Sequence, residues 1–398
     1  MSAFSEATIG TPVTDATLED PSWLSEKLNR PVAAAKLVDM SGAGGMSGAK
    51  LTKIEVAFTD GGSMSLVVKQ TRPGHADSSK QLGLFREAHF FELLSKIFPE
   101  GFLPKTYHVF GNAESGEKLI LMEDLSDTVQ SGYFFGPGSP LNWGKDLEAL
   151  AARAPGVTMS KVVREVSIMA AKMHAKYWKR SELLDMSWLK GSGWLRGQDR
   201  QAWEGSQQYV LDRWLLQKEK IASENCETVW NPQLVAVVDA SFAKISWDDF
   251  QKRIQSSSWT LSHGDFHPAN MMWRTNVSEE STHIALLDWE VVGLGTGVQD
   301  LGQYFISHSS PEDRREVENA ALHTYYGELL LSGVKESEYS WETCCADYVA
   351  GGFERWVWLL AILTELCPPQ MVQYFHDQCA AFMLDHNITP ETVGQPRC

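Results

Sequence analysis

The sequence lacks the excess of basic residues that nucleic-acid binding requires. Its 398 residues include 35 Lys and Arg but 51 Asp and Glu, which gives a formal charge of −16 at pH 7. Because binding to a polyphosphate backbone needs a basic surface, a nucleic-acid partner is not expected. An acidic surface permits a cationic substrate, but good solubility is the simpler interpretation of this charge.

Cysteine is scarce and irregularly spaced. The chain has six cysteines, and no two of them form a Cys-x-x-Cys pair. A disulfide framework or a zinc site is therefore not expected, and reduced thiols in a cytoplasmic protein are the simplest interpretation.

Long apolar runs and a recognisable targeting segment are also missing. The first twenty residues combine acidic and hydroxyl side chains without a basic start or an apolar core, so we expect no signal or transit peptide. The longest apolar run, residues 356–363, is far shorter than the roughly 20 residues of a membrane span. We therefore predict no membrane association. An apolar content of 43% in a chain of this length can build a large core in one or two domains.

The most informative stretch, residues 263–270, reads His-Gly-Asp-Phe-His-Pro-Ala-Asn and is called the motif loop below. Asp265 and Asn270 lie five positions apart, so one short loop can present a carboxylate and an amide toward the same point. The apolar run 284–287 predicts a buried strand that ends at Asp288. Oxygen ligands on separate segments suit Mg²⁺, which shares its coordination shell with phosphates. Protein kinases use this arrangement, so the pattern favours phosphoryl transfer.

A glycine-rich stretch containing Gly44, Gly45 and Ser47 precedes two predicted strands, residues 51–58 and 64–69. A flexible loop between strands can offer backbone N–H groups to phosphates, although a plain hairpin turn gives the same pattern. The stretch does not have the spacing of a Walker A motif. A Rossmann fingerprint would require a helix to follow, whereas the sequence predicts a strand.

The motif loop, the following strand and the sequence Asp288-Trp289-Glu290 together resemble the aminoglycoside phosphotransferase and choline kinase superfamily. They are especially similar to its ecdysteroid-kinase-like branch. The resemblance covers about residues 35–310 and thins out beyond them. It implies an α+β, bilobal protein-kinase-like fold, with a small N-terminal lobe containing an antiparallel sheet and a helix, and a larger, mostly helical C-terminal lobe.

On this basis we expect three parts of the chain. Residues 1–22 are predicted to be a flexible tail, because polar and acidic side chains dominate there. Residues 23–125 are predicted to form the nucleotide-binding lobe and the hinge. Residues 126–398 are predicted to form the helical lobe, with the motif loop and the substrate site.

The resemblance implies ATP as the phosphate donor and specific positions for its binding. Lys69 ends a predicted apolar strand and would contact the α- and β-phosphates, held by an ion pair with Glu87, or alternatively with Glu92. The glycine-rich loop would cover the phosphates, with Ser47 as a hydroxyl donor. The Glu123 carbonyl and the Leu125 amide would contact the adenine.

The resemblance also implies how transfer occurs between the lobes. Asn270 and Asp288 would hold Mg²⁺, with Glu290 as a further candidate, and Asp265 would orient the acceptor hydroxyl toward the γ-phosphorus. Asp300 follows Asp288 by only 12 positions, too few for the longer activation segment on which protein kinases dock a peptide. We therefore predict a small-molecule acceptor, an alcohol of metabolite or natural-product type. Both a monomer and a homodimer remain open.

Two other functions are considered. A metal-dependent hydrolase could ligate a transition metal through His263, Asp265 and His267, but no third histidine lies close by and residues 268–270 then have no role. A nucleotide-binding pseudokinase without activity is the second alternative. The site residues implied by the family are all present, so inactivity has no support in the sequence.

Three further expectations concern the helical part of the chain. Residues 130–157, rich in glycine, proline and aromatic residues, are predicted to be a loop insertion and a candidate substrate lid. His174 is predicted to be a structural hydrogen-bonding residue. Asp300 is predicted to be the N-cap of the helix that follows Asp288.

Overall fold

The computed structural model describes residues 7–40, 49–223, 226–275, 277–278 and 282–398. The chain forms two compact units that alternate along the sequence. The first unit comprises Met1–Val129, Asp185–Lys190 and Met272–Val292, and the second comprises Gln130–Leu184, Gly191–Met271 and Gly293–Cys398. The sequence had predicted contiguous segments, 23–125 and 126–398, and gave no sign that 272–292 joins the first unit.

The first unit is built on an antiparallel sheet of six strands, in the order β1-β5-β6-β4-β3-β2. Its elements are β1 (Thr8–Ile9), α1 (Asp15–Leu18), α2 (Pro21–Leu28), β2 (Val32–Asp39), β3 (Lys50–Phe58), β4 (Ser63–Gln70), α3 (Ala76–Leu82), α4 (Arg86–Leu93), β5 (Thr106–Asn112) and β6 (Lys118–Glu123). The flexible tail predicted for residues 1–22 is wrong for residues 7–22. There, β1 pairs with β5, and Ile9 and Leu18 are buried, so a few apolar side chains anchor an otherwise polar segment.

Alternation along the strands gives this sheet two different faces. Leu66 and Val68 of β4 and Leu119 and Leu121 of β6 belong to one hydrophobic cluster with α2. Successive side chains of a strand point to opposite faces, so Lys69 of β4 lies on the other face. Lys69 is paired with Ile120 across the β4–β6 ladder. Lys118, two residues before Ile120, is therefore its diagonal neighbour on the same face.

The second unit is mostly helical. Its elements are α5 (Leu147–Ala151), α6 (Met159–Lys176), α7 (Ser192–Leu195), α8 (Arg200–Ala222), α9 (Pro232–Ala243), α10 (Trp247–Ser256), β8 (Thr260–Ser262), β11 (Gly293–Gly295), α11 (Gln299–His308), α12 (Pro311–Leu331), α13 (Trp341–Leu366) and α14 (Pro369–Asp385). Three further short strands are not confined to this unit: β7 (Val129–Gln130) and β9 (Met271–Trp273) span the unit boundaries, and β10 (Ile284–Leu286) belongs to the first unit. The predicted fold class, α+β with an antiparallel sheet followed by a mostly helical part, is confirmed.

Two features of the second unit position the motif loop. Strand β8 leads into the loop and pairs antiparallel with β11, with Ser262 opposite Gly293. Helices α11 and α13 approach closely at Gly302 and Gly352, where a Cβ added to Gly302 would lie 2.5 Å from the Gly352 Cα. A larger residue at this crossing would push the two helices apart.

Residues 130–157, predicted as a loop insertion, contain more regular structure than expected. The 3-10 helices Ser131–Phe135 and Pro140–Asn142 precede α5. The Asn142 side-chain amide donates to the carbonyls of Gly132 and Gly136, which fixes the turn despite its glycines. Among the described residues, no helix combines the length and apolarity that crossing a lipid bilayer requires.

Candidate active-site residues

Five charged side chains of the first unit form one network, called the charged cluster below. Its members are Lys69, Glu87, Lys118, Asp288 and Glu290. The Lys69 Nζ donates to Glu87 Oε1 at 3.0 Å and to Asp288 Oδ1 at 2.7 Å, and it lies 3.0 Å from Glu290 Oε1. Burial disfavours the charged lysine, but the three carboxylates outweigh burial and raise its pKa well above the ordinary value. Lys69 is therefore a firmly held cation.

Glu87 reaches the cluster from the first turn of α4 and is 1% exposed. It is thus the partner of Lys69 that the sequence favoured. Glu92, the alternative partner, instead forms an exposed ion pair with Lys96 at 3.0 Å. Because Glu92 is one helical turn and a residue beyond Glu87, it lies on a different side of α4.

Asp288 reaches the cluster from the end of β10 in an unusual backbone conformation. Its φ of 66° and ψ of 63° are left-handed, which costs a non-glycine residue about 1–3 kcal/mol and is frequently found at functional sites. Burial raises the pKa of Asp288 to about 6, with Glu290 and Glu87 adding to the shift while Lys69 and Lys118 oppose it. The charged cluster therefore contains three carboxylates and two lysines, which leaves an excess of one negative charge.

The three carboxylates are close enough to share an ion. Oxygen atoms of Glu87, Asp288 and Glu290 lie within 4.8 Å of one another. Carboxylate oxygens are hard ligands of the type that Mg²⁺ prefers. The donor set therefore fits this metal better than a transition metal that seeks nitrogen or sulfur.

In the second unit, the motif loop holds Asp265 by hydrogen bonds from several directions. Asn270 Nδ2 donates to Asp265 Oδ2 at 3.1 Å and to its backbone carbonyl at 3.0 Å. Gln303 Nε2, from α11, donates to Oδ1 at 3.2 Å, and His267 Nε2 lies 3.3 Å from Oδ2. Both carboxylate oxygens are thus oriented, while 36% of the side chain remains exposed.

The electrostatic surroundings of Asp265 favour its charged form. Burial raises the pKa of this carboxyl, but the neighbouring His267, His263 and Arg355 lower it by more, so that it lies well below the ordinary value. The Asn270 amide uses its nitrogen in the bonds to Asp265, so its carbonyl oxygen is the atom that can ligate a metal. The predicted five-residue spacing therefore brings a carboxylate and an amide together.

Asp300 holds the start of the motif loop through hydrogen bonds to its carboxylate. Its carboxylate accepts from Ser262 Oγ at 2.7 Å and from the His263 and Gly264 backbone amides at 2.8 and 3.3 Å. His174 Nε2 lies 3.2 Å from the same carboxylate, which gives His174 the structural role that was expected. The N-cap prediction for Asp300 is wrong.

The N-cap of α11 is Val298, and Asp300 lies inside the first turn. Its side chain is fully buried and turns to the motif loop instead of capping its own helix. Gly264, held there by Asp300, has a φ of 79°, a conformation that glycine adopts without steric cost. Arg355, from α13, donates to the Gly264 carbonyl at 3.0 Å.

The Asp300 network leads to a stability prediction. Burial raises the pKa of Asp300. The hydrogen bond and charge of His174, together with the other donors, lower the pKa by a larger amount, so the net shift is downward. A carboxyl with a depressed pKa stabilises the fold above its unfolded pKa of about 4 and loses this contribution as the pH falls. We expect Asp300→Asn to lower the free energy of unfolding by about 2–3 kcal/mol at pH 7.

Urea unfolding at pH 7 and at pH 3, which is below the unfolded pKa, checks this prediction. The difference between the wild type and Asp300→Asn should shrink at the lower pH. Asp212→Asn, at an exposed position on α8, is the control and should change stability by less than about 0.5 kcal/mol at both pH values. A difference for Asp300→Asn that does not depend on pH would contradict the assigned charge.

The remaining predicted positions lie apart from these contacts or outside the described residues. Glu123 forms a side-chain ion pair with Arg274, so its side chain is used within the first unit. The Leu125 carbonyl accepts from the Thr128 amide at 3.0 Å. The predicted phosphate-loop residues Gly44, Gly45 and Ser47 lie outside the described residues.

The structure disfavours the hydrolase alternative. His263 Nδ1 accepts a hydrogen bond from the Asp265 amide at 3.2 Å, and the ring is completely buried. His267 Nδ1 accepts from the Ala269 amide at 3.3 Å. These nitrogens therefore stabilise the loop conformation. In the described part of the chain, the three carboxylates of the charged cluster form the group that could hold a metal.

Three residues of this arrangement were missed by sequence reasoning. Lys118 contacts Glu87 and Glu290, Gln303 contacts Asp265, and Arg355 contacts the loop backbone. Gln303 lies three positions after Asp300, one turn further along the same helix. This spacing is the signal in the sequence that could have identified it. Nothing local marks the other two.

Comparisons with known proteins agree with the fold. A family model described as "DUF1679: Uncharacterized oxidoreductase dhs-27" matches residues 240–350, which include the motif loop and Asp288. No curated protein sequence matches the chain. The structure is similar to that of a choline kinase from Cryptosporidium parvum Iowa II, with a TM-score of 0.53 and 11% identity over 90% of this chain and 92% of that chain.

Two further solved structures show weaker similarity. An ethanolamine kinase from Plasmodium vivax has a TM-score of 0.46 and 11% identity, over 90% of this chain and 83% of that chain. A macrolide 2'-phosphotransferase from Brachybacterium faecium has a TM-score of 0.41 and 16% identity, over 93% and 98%. The choline kinase structure thus agrees with the predicted fold, and at 11% identity the similarity concerns the fold alone.

Proposed function

We propose that this protein is an ATP-dependent kinase that transfers the γ-phosphate to a hydroxyl group of a small metabolite or natural product. One observation carries the proposal: Lys69 contacts both Glu87 and Asp288, which lie 18 and 219 positions away in the sequence. In kinases, a lysine held by a helix glutamate contacts the nucleotide phosphates, and an aspartate on a later strand holds the metal.

Two residues of the charged cluster, the hinge and the glycine-rich loop bind the nucleotide under this proposal. Lys69 contacts the α- and β-phosphates, and Glu87 keeps its ammonium group in place. The Glu123 carbonyl and the Leu125 amide contact the adenine, as do backbone groups of a kinase hinge. The glycine-rich loop with Gly44, Gly45 and Ser47 stays part of the proposal as the segment that covers the phosphates.

Asp288 and Asn270 are the proposed Mg²⁺ ligands, with Glu290 as a further candidate. The fit rests on their chemistry, since both offer hard oxygen atoms and Asp288 sits where carboxylate charge is in excess. A bound Mg²⁺ would neutralise charge on the phosphates as the terminal phosphoryl group is transferred.

Asp265 is the proposed catalytic residue. Its hydrogen bonds fix both carboxylate oxygens, and the exposed part of the side chain can accept a hydrogen bond from the acceptor hydroxyl. A carboxylate with a depressed pKa is a weak base, so it orients the hydroxyl and takes the proton late, when the new O–P bond is largely formed. In a loose transition state this is sufficient, since positioning supplies most of the acceleration.

Two observations bear on the class of the acceptor. One structure with a TM-score above 0.5 is named a choline kinase, and choline is an alcohol. The short separation of Asp288 and Asp300 leaves no room for a peptide-docking segment of protein-kinase length. Both points favour a small alcohol.

A two-step experiment tests the proposed function. Calorimetry first measures binding of a non-hydrolysable ATP analogue with and without Mg²⁺; we expect binding that requires the metal. The full chain is then incubated with ATP, Mg²⁺ and panels of amino alcohols, sugars and sterols, while ADP release and a gain of one phosphate by the acceptor are followed. Absence of nucleotide binding would refute the kinase, and binding without turnover on any panel would favour the pseudokinase.

A further inference from the structure

Lys118 is a buried lysine that the proposed chemistry does not use. It begins β6, a strand flanked by β4 and β5, and its side chain is 1% exposed. Removing an ammonium group from water costs several kcal/mol unless its charge and hydrogen bonds are satisfied by partners. A charged lysine at such a position therefore requires neighbours that compensate its charge.

The partners of Lys118 are the same carboxylates that contact Lys69. The Lys118 Nζ donates to Glu87 Oε2 and to Glu290 Oε1, the latter at 2.5 Å. Lys69 contacts Glu87 through Oε1 and also reaches Glu290 Oε1. Two lysines thus share two buried carboxylates, and Asp288, whose side chain is 27% exposed, receives its contact from Lys69.

The charge count shows what Lys118 supplies. The charged cluster contains two lysines and three carboxylates, a formal charge of 2 − 3 = −1. With Lys118 made neutral, the count becomes 1 − 3 = −2, and Lys69 alone faces three carboxylates. Such a cluster repels the phosphates of a nucleotide more strongly, and Lys69 is held more tightly by Glu87 and Glu290.

We propose that Lys118 is a positioning residue for nucleotide binding: it neutralises Glu87 and Glu290 so that Lys69 is free to contact an anionic phosphate. This inference rests on the proposed kinase function. Lys118 itself is too deeply buried to touch the nucleotide, so it acts through the other two side chains. The KM for the acceptor alcohol should therefore not depend on Lys118.

The test replaces Lys118 by methionine, which keeps an unbranched side chain of similar length but removes the charge. We expect the KM for ATP and the Kd for the non-hydrolysable analogue with Mg²⁺ to rise at least tenfold, while the KM for the acceptor changes less than twofold. Lys118→Arg keeps the charge and should retain most of the affinity. Lys335→Met, at an exposed position, is the matched control and should behave as the wild type.

A second substitution separates charge from packing. Glu290→Gln combined with Lys118→Met returns the cluster to 1 − 2 = −1, so the double variant should bind the analogue more tightly than Lys118→Met alone. Glu290→Gln alone is measured as well: if the change in binding free energy of the double variant equals the sum of the changes in the two single variants, the side chains act independently and the inference is overturned. If Lys118→Met does not fold, the comparison of Lys118→Arg and the double variant with the wild type decides.

The outcomes also distinguish this inference from the proposed function. If the wild type does not bind the nucleotide analogue with Mg²⁺, the kinase proposal itself fails. If the wild type binds and Lys118→Met binds equally well, the kinase proposal stands and the role of Lys118 is refuted.

Discussion

Asp265→Asn is expected to lower kcat by about 10²–10⁴-fold, the range typical of losing a positioned proton acceptor, while the Kd for the ATP analogue changes less than threefold. Asparagine has nearly the same shape and keeps one oxygen that can accept from Asn270 or Gln303. The loop should therefore retain its conformation. What is lost is the negative charge that orients the acceptor hydroxyl and finally takes its proton.

Steady-state kinetics and calorimetry on the same preparation check this expectation. Asp212→Asn, the same exchange at an exposed site of the second unit, is the control and should leave kcat unchanged. Because the KM for ATP depends on other residues, it should move little in Asp265→Asn. Turnover at the wild-type rate would remove Asp265 from its catalytic role.

Asp288→Asn is expected to reduce kcat/KM for ATP by about 10³-fold, corresponding to about 4 kcal/mol of lost transition-state stabilisation through the metal. The same variant should be no less stable than the wild type. Asparagine tolerates the left-handed backbone conformation of Asp288, and the exchange removes a charge that burial and two neighbouring carboxylates disfavour.

Asp288→Asn should therefore lower activity without lowering stability. Thermal unfolding in the absence of nucleotide should give an equal or higher midpoint for Asp288→Asn, and Mg²⁺ should no longer tighten binding of the analogue. Asp288→Ala is the matched comparison, because alanine removes the charge but does not tolerate the backbone as well. A loss of stability in both variants would show that Asp288 is mainly a structural residue.

Local patterns in the sequence predicted the elements whose signal lies within one short segment. The strands around residues 51–58 and 64–69 alternate apolar and polar side chains, and they correspond to β3 and β4. The pairing of Lys69 with Glu87 and the fold class were implied by the family resemblance, which rests on the motif loop and on the sequence Asp288-Trp289-Glu290.

The parts that could not be predicted depend on contacts between distant segments. A lysine at the start of a strand usually reaches solvent, but Lys118 is buried, with its charge neutralised by Glu87 and by Glu290, which lies 172 positions away. Asp300 has the local pattern of an N-cap, but its backbone partners in the motif loop lie 36 and 37 positions earlier. Such contacts are set by tertiary packing, which overrides local preference.

The alternation of the two units along the chain has a consequence for synthesis on the ribosome. The sheet of the first unit is complete once β6 has emerged, yet Asp288 and Glu290 follow about 170 residues later. Until then, Glu87 is the member of the charged cluster that can neutralise Lys69 and Lys118, so these three side chains carry one excess positive charge on one face of the nascent sheet. Because large proteins fold largely as their segments emerge, this sheet should gain its final stability only when Asp288 and Glu290 have reached the two lysines.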